Sequence, residues 1–368
     1  MNGQTVLLIG ATGAIGIPLA KRLLELGHKV VVLARPQVDG ATRGLGVIQE
    51  MLGSQVEVLF GDISKPGCDV SAEVIAASIG RFDAVIHAAG ATQYYEHLRE
   101  KTFSVNLDGT RNVRTLAEKL EIDRFVYIST CYVAGSRAYL SENDKGVPSL
   151  ANNPYEASKI EAEEVVRSYY GTPLILRLGT VIGHVETGEI VNAGGYAGFV
   201  SGFWKSRDVI RRYPDNPFWA AVNPDTTLNL ITNEWVTEHI IQATFSGMTG
   251  NIHLAHTKPV SMRWLFQRTF RSGELNLPMT HNRQSVERTA LYDDSRWRMI
   301  QERVTGIVSY FGPYVTRDTT FAHERAVKIP GYTPPPKITD AVIDRQLQYM
   351  LTTLFPHKQL VPAEGVVV

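Results

Sequence analysis

Tyr155 and Lys159 stand four residues apart in "NNPYEASKIEAEE", so a helix through this segment puts both side chains on one face. A cation beside a phenol favours phenolate and draws its pKa down from about 10, which makes the tyrosine a usable proton donor. Near the N-terminus, "VLLIGATGAIG" holds Gly10, Gly13 and Gly16 in a G-x-x-G-x-x-G pattern, with Thr12, Ala14 and Ile15 between them. Glycines there permit a tight strand-to-helix turn and let backbone N–H groups approach a pyrophosphate at the helix N-terminus. One chain thus carries a phosphate cradle and a proton donor, and the elements between must bring them together.

Those elements are legible as an alternation. "TVLLIG" and "KVVVLA" are strand-length apolar runs flanking an amphipathic helix, "AIGIPLAKRLLELG", with Gly27 at its C-terminal stop. Four more apolar runs follow, "VEVLFGD", "FDAVIHAA", "RFVYIST" and "PLILRLG", separated by helical stretches around 72–79, 103–120 and 155–170. Alternating strand and helix with near-continuous apolar strands predicts an α/β fold of Rossmann type, a doubly wound parallel sheet with right-handed crossovers. After about Gly183 the regularity breaks: "HVETGEIVNAGGYAGFVSG" is rich in glycine and "YPDNPFWAAVNPDTT" reads as loop. "LNLITNEWVTEHIIQATF" reads as a short strand and a helix returning to the sheet, and "GNIHLAH" as a last strand. "RWLFQRTFRSGEL" and "DRQLQYMLTTLF" read as helices. The expected organisation is an NADP-binding core over 1–183, a cap segment over 184–227 and a return to the core over 228–256. A smaller, mostly helical C-terminal substrate-binding region then covers 257–368. Such a cap sets substrate choice, because the cleft of this kind of sheet opens at the carboxyl ends of its strands.

Bulk composition bounds the function classes. With 37 basic and 37 acidic residues the formal net charge is zero, which lacks the basic footprint of a nucleic-acid binder. Two cysteines, Cys68 and Cys131, are too few for a disulfide framework or a cysteine metal site. The histidines lack metal-ligand spacing, so no metal is expected. No apolar run reaches the ~18 residues that suggest a membrane span. The chain also opens on a strand pattern without a leader, so a soluble, cytoplasmic protein is expected.

The end of the second strand bears on the cofactor. An NAD site places Asp or Glu near the end of "VVVLARP" to bind the ribose 2′-hydroxyl, whereas arginine accommodates a 2′-phosphate. Arg35 stands there, and the next acid is Asp39. Arg43 is either a second phosphate ligand or a solvated loop charge. NADPH/NADP is therefore expected over NAD.

Taken with "VYISTCYVAG", the glycine pattern and the Tyr155–Lys159 pair resemble the extended short-chain dehydrogenase/reductase superfamily over roughly Val6 to Gly183. The resemblance implies a catalytic Thr130, five residues before Gly135, and an Asn106, in "VNLDGTRN", that supports Lys159 through water. It implies Asp62 and Ile63 near the adenine, and Ala88, Ala89 and Gly90 along the cofactor. Lys159 is implied to hold the nicotinamide ribose as well as the tyrosine. More narrowly, "GDISKPGCDVSAEVI", "VIHAAGATQYYEHLREKTFSVNLDGTRNV" and "TVIGHVETGEI" are similar to fatty acyl-CoA reductases and thioester reductase domains. That likeness implies NADPH-dependent reduction of an acyl thioester, borne by coenzyme A or a carrier protein, to aldehyde or alcohol. Two other readings use the same residues: a ketone, aldehyde or sterol-type reductase, and a non-catalytic NADP-sensing protein. Leu178 in "RLGTVIG" stands where relatives usually have proline. The fold often dimerises through two helices, which allows a homodimer.

Several residues have a blander reading. Cys131, beside Thr130, reads as an inert buried hydrophobe rather than an acyl-carrying nucleophile. His87 reads as a satisfied sheet-end residue. Lys205, Arg207, Arg211 and Arg212 either bind a coenzyme A or phosphopantetheine phosphate or form a solvated helix face. Phe203, Trp204, Phe218 and Trp219 read as cap core ahead of an acyl pocket.

Overall fold

The computed structural model describes residues 3–36, 43–53, 56–191, 194–204, 207–211, 220, 222–271 and 293–354. The apolar runs become seven strands: β1 (Thr5–Ile9), β2 (Lys29–Ala34), β3 (Glu57–Phe60), β4 (Ala84–His87), β5 (Arg124–Thr130), β6 (Thr172–Leu178) and β7 (Gly250–Leu254). They pair in parallel in the order β3-β2-β1-β4-β5-β6-β7. The winding reverses between β1 and β4, which opens a crevice at their carboxyl ends. Along the chain run helices α1 (Gly16–Glu25), α2 (Gly109–Lys119), α3 (Pro154–Arg167) and α4 (Gly195–Trp204). They are followed by α5 (Asn233–Thr244), α6 (Met262–Arg271), α7 (Ser295–Tyr310) and α8 (Asp340–Tyr349).

Side chains alternate between the two faces of a strand, and both faces here are covered. Leu8, Val30, Ile86, Val126 and Leu176 pack against Leu19 and Leu23 of α1 and Trp235 and Ile240 of α5. Leu7, Val31, Val85, Phe125 and Ile175 pack against Val113 and Leu116 of α2 and Ala162 and Val166 of α3. Each such side chain, fully buried, contributes roughly 1.5–3 kcal/mol. The short strand expected near Leu228 does not join this sheet. β7 already occupies the edge beside β6, so Leu230–Thr232 pairs instead with Thr180–Ile182 in a sheet of its own.

The cap has its own core. The glycine-rich stretch read as irregular contains α4, whose Phe199 and Phe203 pack on Phe266 and Phe270 of α6 and on the same cluster as Trp297 and Val304 of α7. Gly202 permits that approach, since a Cβ there would stand 3.0 Å from Ile307. Helix α7 has no counterpart in the sequence reading, although its buried Trp297, Ile300, Val304 and Val308 follow helical spacing. Phe203 and Trp204 are buried, as cap core requires. Arg207 is not on a solvated helix face: it is buried, with its guanidinium 5.1 Å from the Trp204 ring centre. Arg211 is half-buried. Lys205, Arg212, Phe218 and Trp219 lie outside the described residues. Among the described residues no helix is long and apolar enough to cross a membrane, and no cluster of His, Cys, Asp and Glu is arranged to hold a metal.

Candidate active site

The glycine pattern does steric work. Gly10 leaves β1 at φ +93°, and a Cβ there would stand 2.5 Å from the backbone nitrogen of Ala89. A Cβ at Gly16 would stand 2.0 Å from the carbonyl oxygen of Gly10. With neither present, Gly13, Ala14 and Ile15 come to line one cleft of about 280 Å³ together with Ala88, Ala89 and Gly90. α1 starts with no side-chain cap and no acidic residue in its first turn, so its positive end stays open to an anion. A dinucleotide pyrophosphate fits this cradle. Thr12 is exposed on the same turn.

The outer positions expected to meet the cofactor sit at neighbouring strand ends. Arg35 follows β2 directly and is exposed. Asp62 follows β3, where its Oδ1 accepts from the Ser64 backbone N–H at 2.9 Å. Ile63 packs over Gly109 and its carbonyl accepts from Asn112 at 2.8 Å. Arg43 begins a helix (Arg43–Leu52), and its side chain lies outside the described residues.

Thr130, Tyr155 and Lys159 line the same cleft as the cradle. Thr130 is the last residue of β5, where its hydroxyl accepts from the Tyr132 N–H at 3.2 Å and donates to the Leu178 carbonyl at 3.4 Å. Tyr155 and Lys159 share one face of α3, as their spacing demands. Lys159 is buried, its ammonium 2.7 Å from the Ile128 carbonyl and 4.1 Å above the Tyr127 ring. Burial pulls its pKa down to about 7, and Glu163, one turn further on, opposes that fall. Desolvation pushes the Tyr155 phenol up to about 12, and the Thr130 side chain is the group that pulls it back. The expectation that Lys159 lowers the phenol is therefore not carried by this geometry, in which the lysine turns to Ile128. Asn106 sits in a π-turn (Ser104–Asp108) and clamps the loop after β4. Its Oδ1 accepts from Ala91 N at 2.7 Å, and its amide donates to the Ala91 carbonyl at 3.0 Å and to Ser158 at 2.9 Å.

A buried charge network lies beneath these residues. Glu163 accepts from Ser129 (2.7 Å), Arg177 (2.9 and 2.7 Å) and Arg167 (2.8 Å). Two guanidinium groups hold its carboxyl below the usual range against its own burial. Cys131 donates its thiol to the Arg177 carbonyl at 3.2 Å, and burial raises its pKa well above the ordinary value. It is a neutral, occupied thiol. His87 is buried with Nε2 3.1 Å from Thr110, and burial holds its pKa at about 3.

Sequence reasoning missed the aromatic wall. Tyr94, from "TQYYEHL", packs on Tyr155 at 5.9 Å and on Tyr314 at 5.3 Å between ring centres, and Tyr132 meets Tyr314 at 4.7 Å. Tyr314 also completes the N-terminus of α3. Asn153 caps α3 through Glu156 N (3.0 Å), and Glu156 returns a carboxylate oxygen to Asn152 N (2.7 Å). The Tyr314 hydroxyl donates to the other oxygen of Glu156 at 2.7 Å and accepts from the Asn153 amide at 2.7 Å. Glu156 was visible in "NNPYEASK" as a residue at the third helical position, but nothing local names a partner 158 residues away.

Residues 8–242 match the family of NAD-binding domains described as Male sterility protein. The terminal R domain from the myxalamid PKS-NRPS biosynthetic pathway superposes with a TM-score of 0.75 at 22% identity, covering 96% of this chain and 92% of that one. A thiolation-reductase di-domain from an archaeal non-ribosomal peptide synthetase gives 0.70 at 17% identity, over 98% and 77%. The 3 beta-hydroxysteroid dehydrogenase/Delta 5→4-isomerase of Mycobacterium tuberculosis is 28% identical over 176 residues, 45% of this chain and 43% of that protein. The chain thus spans less than half the length of that curated relative. The reversal of the sheet, the glycine cradle and a family match across most of the chain's length agree: the chain belongs to the Male sterility protein family, with an extended short-chain dehydrogenase/reductase fold.

Proposed function

We propose that this protein is an NADPH-dependent reductase of acyl thioesters. The observation that carries the reading is one cleft holding the dinucleotide cradle together with Thr130, Tyr155 and Lys159, walled by aromatic side chains. The reductase domains among its structural relatives support thioester chemistry, and the thiolation-reductase di-domain supports a carrier protein as the substrate's bearer. Arg35 at the end of β2, with no acid beside it, supports NADPH over NADH. Localisation is read as cytoplasmic.

Bound in the cleft, the cofactor supplies hydride equivalents to the thioester carbonyl carbon. The Tyr155 and Thr130 hydroxyls donate to the oxygen on which negative charge develops, and one such donor contributes roughly 3–4 kcal/mol. A phenol raised by burial stays protonated until the oxygen needs the proton, so Tyr155 gives it up only in the reaction. Lys159, its pKa lowered by burial to about 7, holds the nicotinamide ribose. The resulting hemithioacetal expels its thiol and leaves an aldehyde. Each turnover consumes one NADPH and one proton and frees one thiol per acyl group.

The steroid dehydrogenase relative supports a second reading, a ketone or sterol-type reductase with the same three residues. A panel of acyl thioesters and ketones, assayed with NADPH and with NADH while free thiol is followed, separates them. Thiol release stoichiometric with NADPH oxidation is expected. Turnover of ketones alone, or faster turnover with NADH, would sink the corresponding half of the proposal.

A further inference from the structure

The cleft that holds Thr130, Tyr155 and Lys159 is lined along one stretch by Ile182, Gly183, Ile190 and Val191. Between them runs a tight loop, in which the His184 N–H donates to the Glu189 carbonyl at 3.0 Å and the Gly188 N–H to the His184 carbonyl at 2.9 Å. The first backbone groups of that loop find their partner 163 residues away. Gln346, fully buried on α8, accepts from the Gly183 N–H at 2.7 Å through Oε1 and donates through Nε2 to the His184 carbonyl at 3.1 Å. The neighbouring Arg345 donates to the Val185 carbonyl at 3.0 Å. Two glycines allow so close a docking. A Cβ at Gly183 would stand 2.6 Å from Gln346 Oε1, and one at Gly188, where φ is +71°, 2.2 Å from the Arg345 carbonyl oxygen. Apolar packing follows the same line, since Ile182 and Ile190 share a cluster with Ile343 and Leu347 of α8.

We infer that Gln346 is a positioning residue for the cofactor: from α8 its carboxamide holds the Ile182–Val191 wall against the reactive end of the dinucleotide. This rests on the reading of the cleft as the dinucleotide site. The wall continues from Leu178, whose carbonyl accepts from the Thr130 hydroxyl, so it borders the Thr130 end of the cleft. Arg35 and Asp62 stand instead at the ends of β2 and β3, across the sheet from β6. One carboxamide supplies both an acceptor and a donor, so it satisfies a buried N–H and a buried carbonyl at once, as a neighbouring strand would. Without it those backbone groups are left unmet, and the loop must move to pair them elsewhere. Such a move reshapes the wall beside Thr130 and leaves the glycine cradle, built on β1 and α1, in place.

Two ligands titrated into the wild-type chain and into Gln346→Leu test this by calorimetry. Leucine keeps the bulk of the side chain and deletes both bonds. NADPH spans the cleft, whereas adenosine 2′,5′-bisphosphate carries no nicotinamide and stops at the cradle. The variant should bind NADPH about tenfold more weakly and the bisphosphate within about twofold of wild type. Equal weakening of both ligands would make Gln346 a general structural brace and overturns the inference, as does unchanged affinity for both. NADH and ADP, run alongside, separate this from the cofactor assignment. Tighter wild-type binding of NADH removes the NADPH preference, and the contrast between NADH and ADP then decides Gln346. No acyl substrate is used, so failure of the thioester reading leaves the outcome unaffected. Should the variant fail to fold, hydrogen exchange on the wild-type chain decides. If α8 helps to bind the cofactor, linkage requires the cofactor to protect α8 in return. Peptides covering 340–349 should gain protection with NADPH and not with the bisphosphate; equal protection by both, or none with NADPH, overturns the inference.

Discussion

At the scale of single residues, Thr130, Cys131 and Tyr155 separate two routes for the proposed thioester reduction. Cys131 adjoins Thr130, yet its thiol is buried, donates to the Arg177 carbonyl and has its pKa pushed well up. The thiolate is the nucleophile, so this cysteine is not one. Thr130 and Tyr155, both hydroxyl-bearing, instead line the cleft. Cys131→Ala should therefore keep kcat/KM within a few-fold. Thr130→Ala should lose about 100-fold, and Tyr155→Phe about 100-fold or more, with NADPH affinity preserved in both. Fluorescence titration of NADPH and steady-state rates check this. Loss of activity in Cys131→Ala with retained folding would replace the direct scheme by an acyl-enzyme.

At the scale of elements, α3 places Tyr155 and Lys159, but its first turn is fixed by a residue of the cap. Glu156 is fully buried, and burial pushes its carboxyl up while bonds from Asn152 and Tyr314 pull it down. Removing one donor from such a group costs about 1–3 kcal/mol. Tyr314→Phe retains the ring that packs on Tyr94 and Tyr132 and deletes only the hydroxyl. We expect a stability loss of about 1–2 kcal/mol in denaturant unfolding. A fall in kcat of roughly tenfold, with KM little changed, should accompany it if the first turn of α3 loosens around Tyr155. A stability loss with unchanged kcat would make Tyr314 a merely structural brace.

For the molecule as a whole, two buried histidines tie stability to pH. His87 ends β4 and His253 lies in β7, where its Nδ1 stands 3.0 Å from the Ala322 carbonyl and its Nε2 3.3 Å from Arg177. Burial holds both at about 3, and for His253 Arg177 adds to the effect. The unfolded chain protonates these rings near 6.5, so between about 6.5 and 3 it binds more protons than the folded one. Their contribution is therefore full above about pH 6.5 and is lost as pH falls toward 3. Each proton adds a slope of about 1.4 kcal/mol per pH unit within that window. Unfolding free energies measured from pH 7 to 4 should show it, and His87→Asn should flatten the slope by about one proton. An unchanged slope in that variant would mean the ring is protonated in the folded state.

Local patterns in the chain were enough to determine the sheet, the cradle and the pairing of Tyr155 with Lys159. Those features depend on short-range periodicity and on glycines whose need is steric, as at Gly10 and Gly16. Even α7 was present in the spacing of Trp297, Ile300, Val304 and Val308, although the surrounding charge obscured it. Other features were decided only by tertiary structure. Leu230–Thr232 left the main sheet because β7 had taken the edge. Lys159 turned to the Ile128 carbonyl because the strand beneath α3 offered a buried acceptor. Tyr314 reached Glu156 across 158 residues because packing, not sequence distance, sets which hydroxyl meets a buried carboxylate. The apolar cavity lined by Tyr94, Tyr132, Phe199 and Phe266 likewise has no sequence signature: among the described residues its walls come from seven separated segments, and space between side chains exists only once all of them are in place.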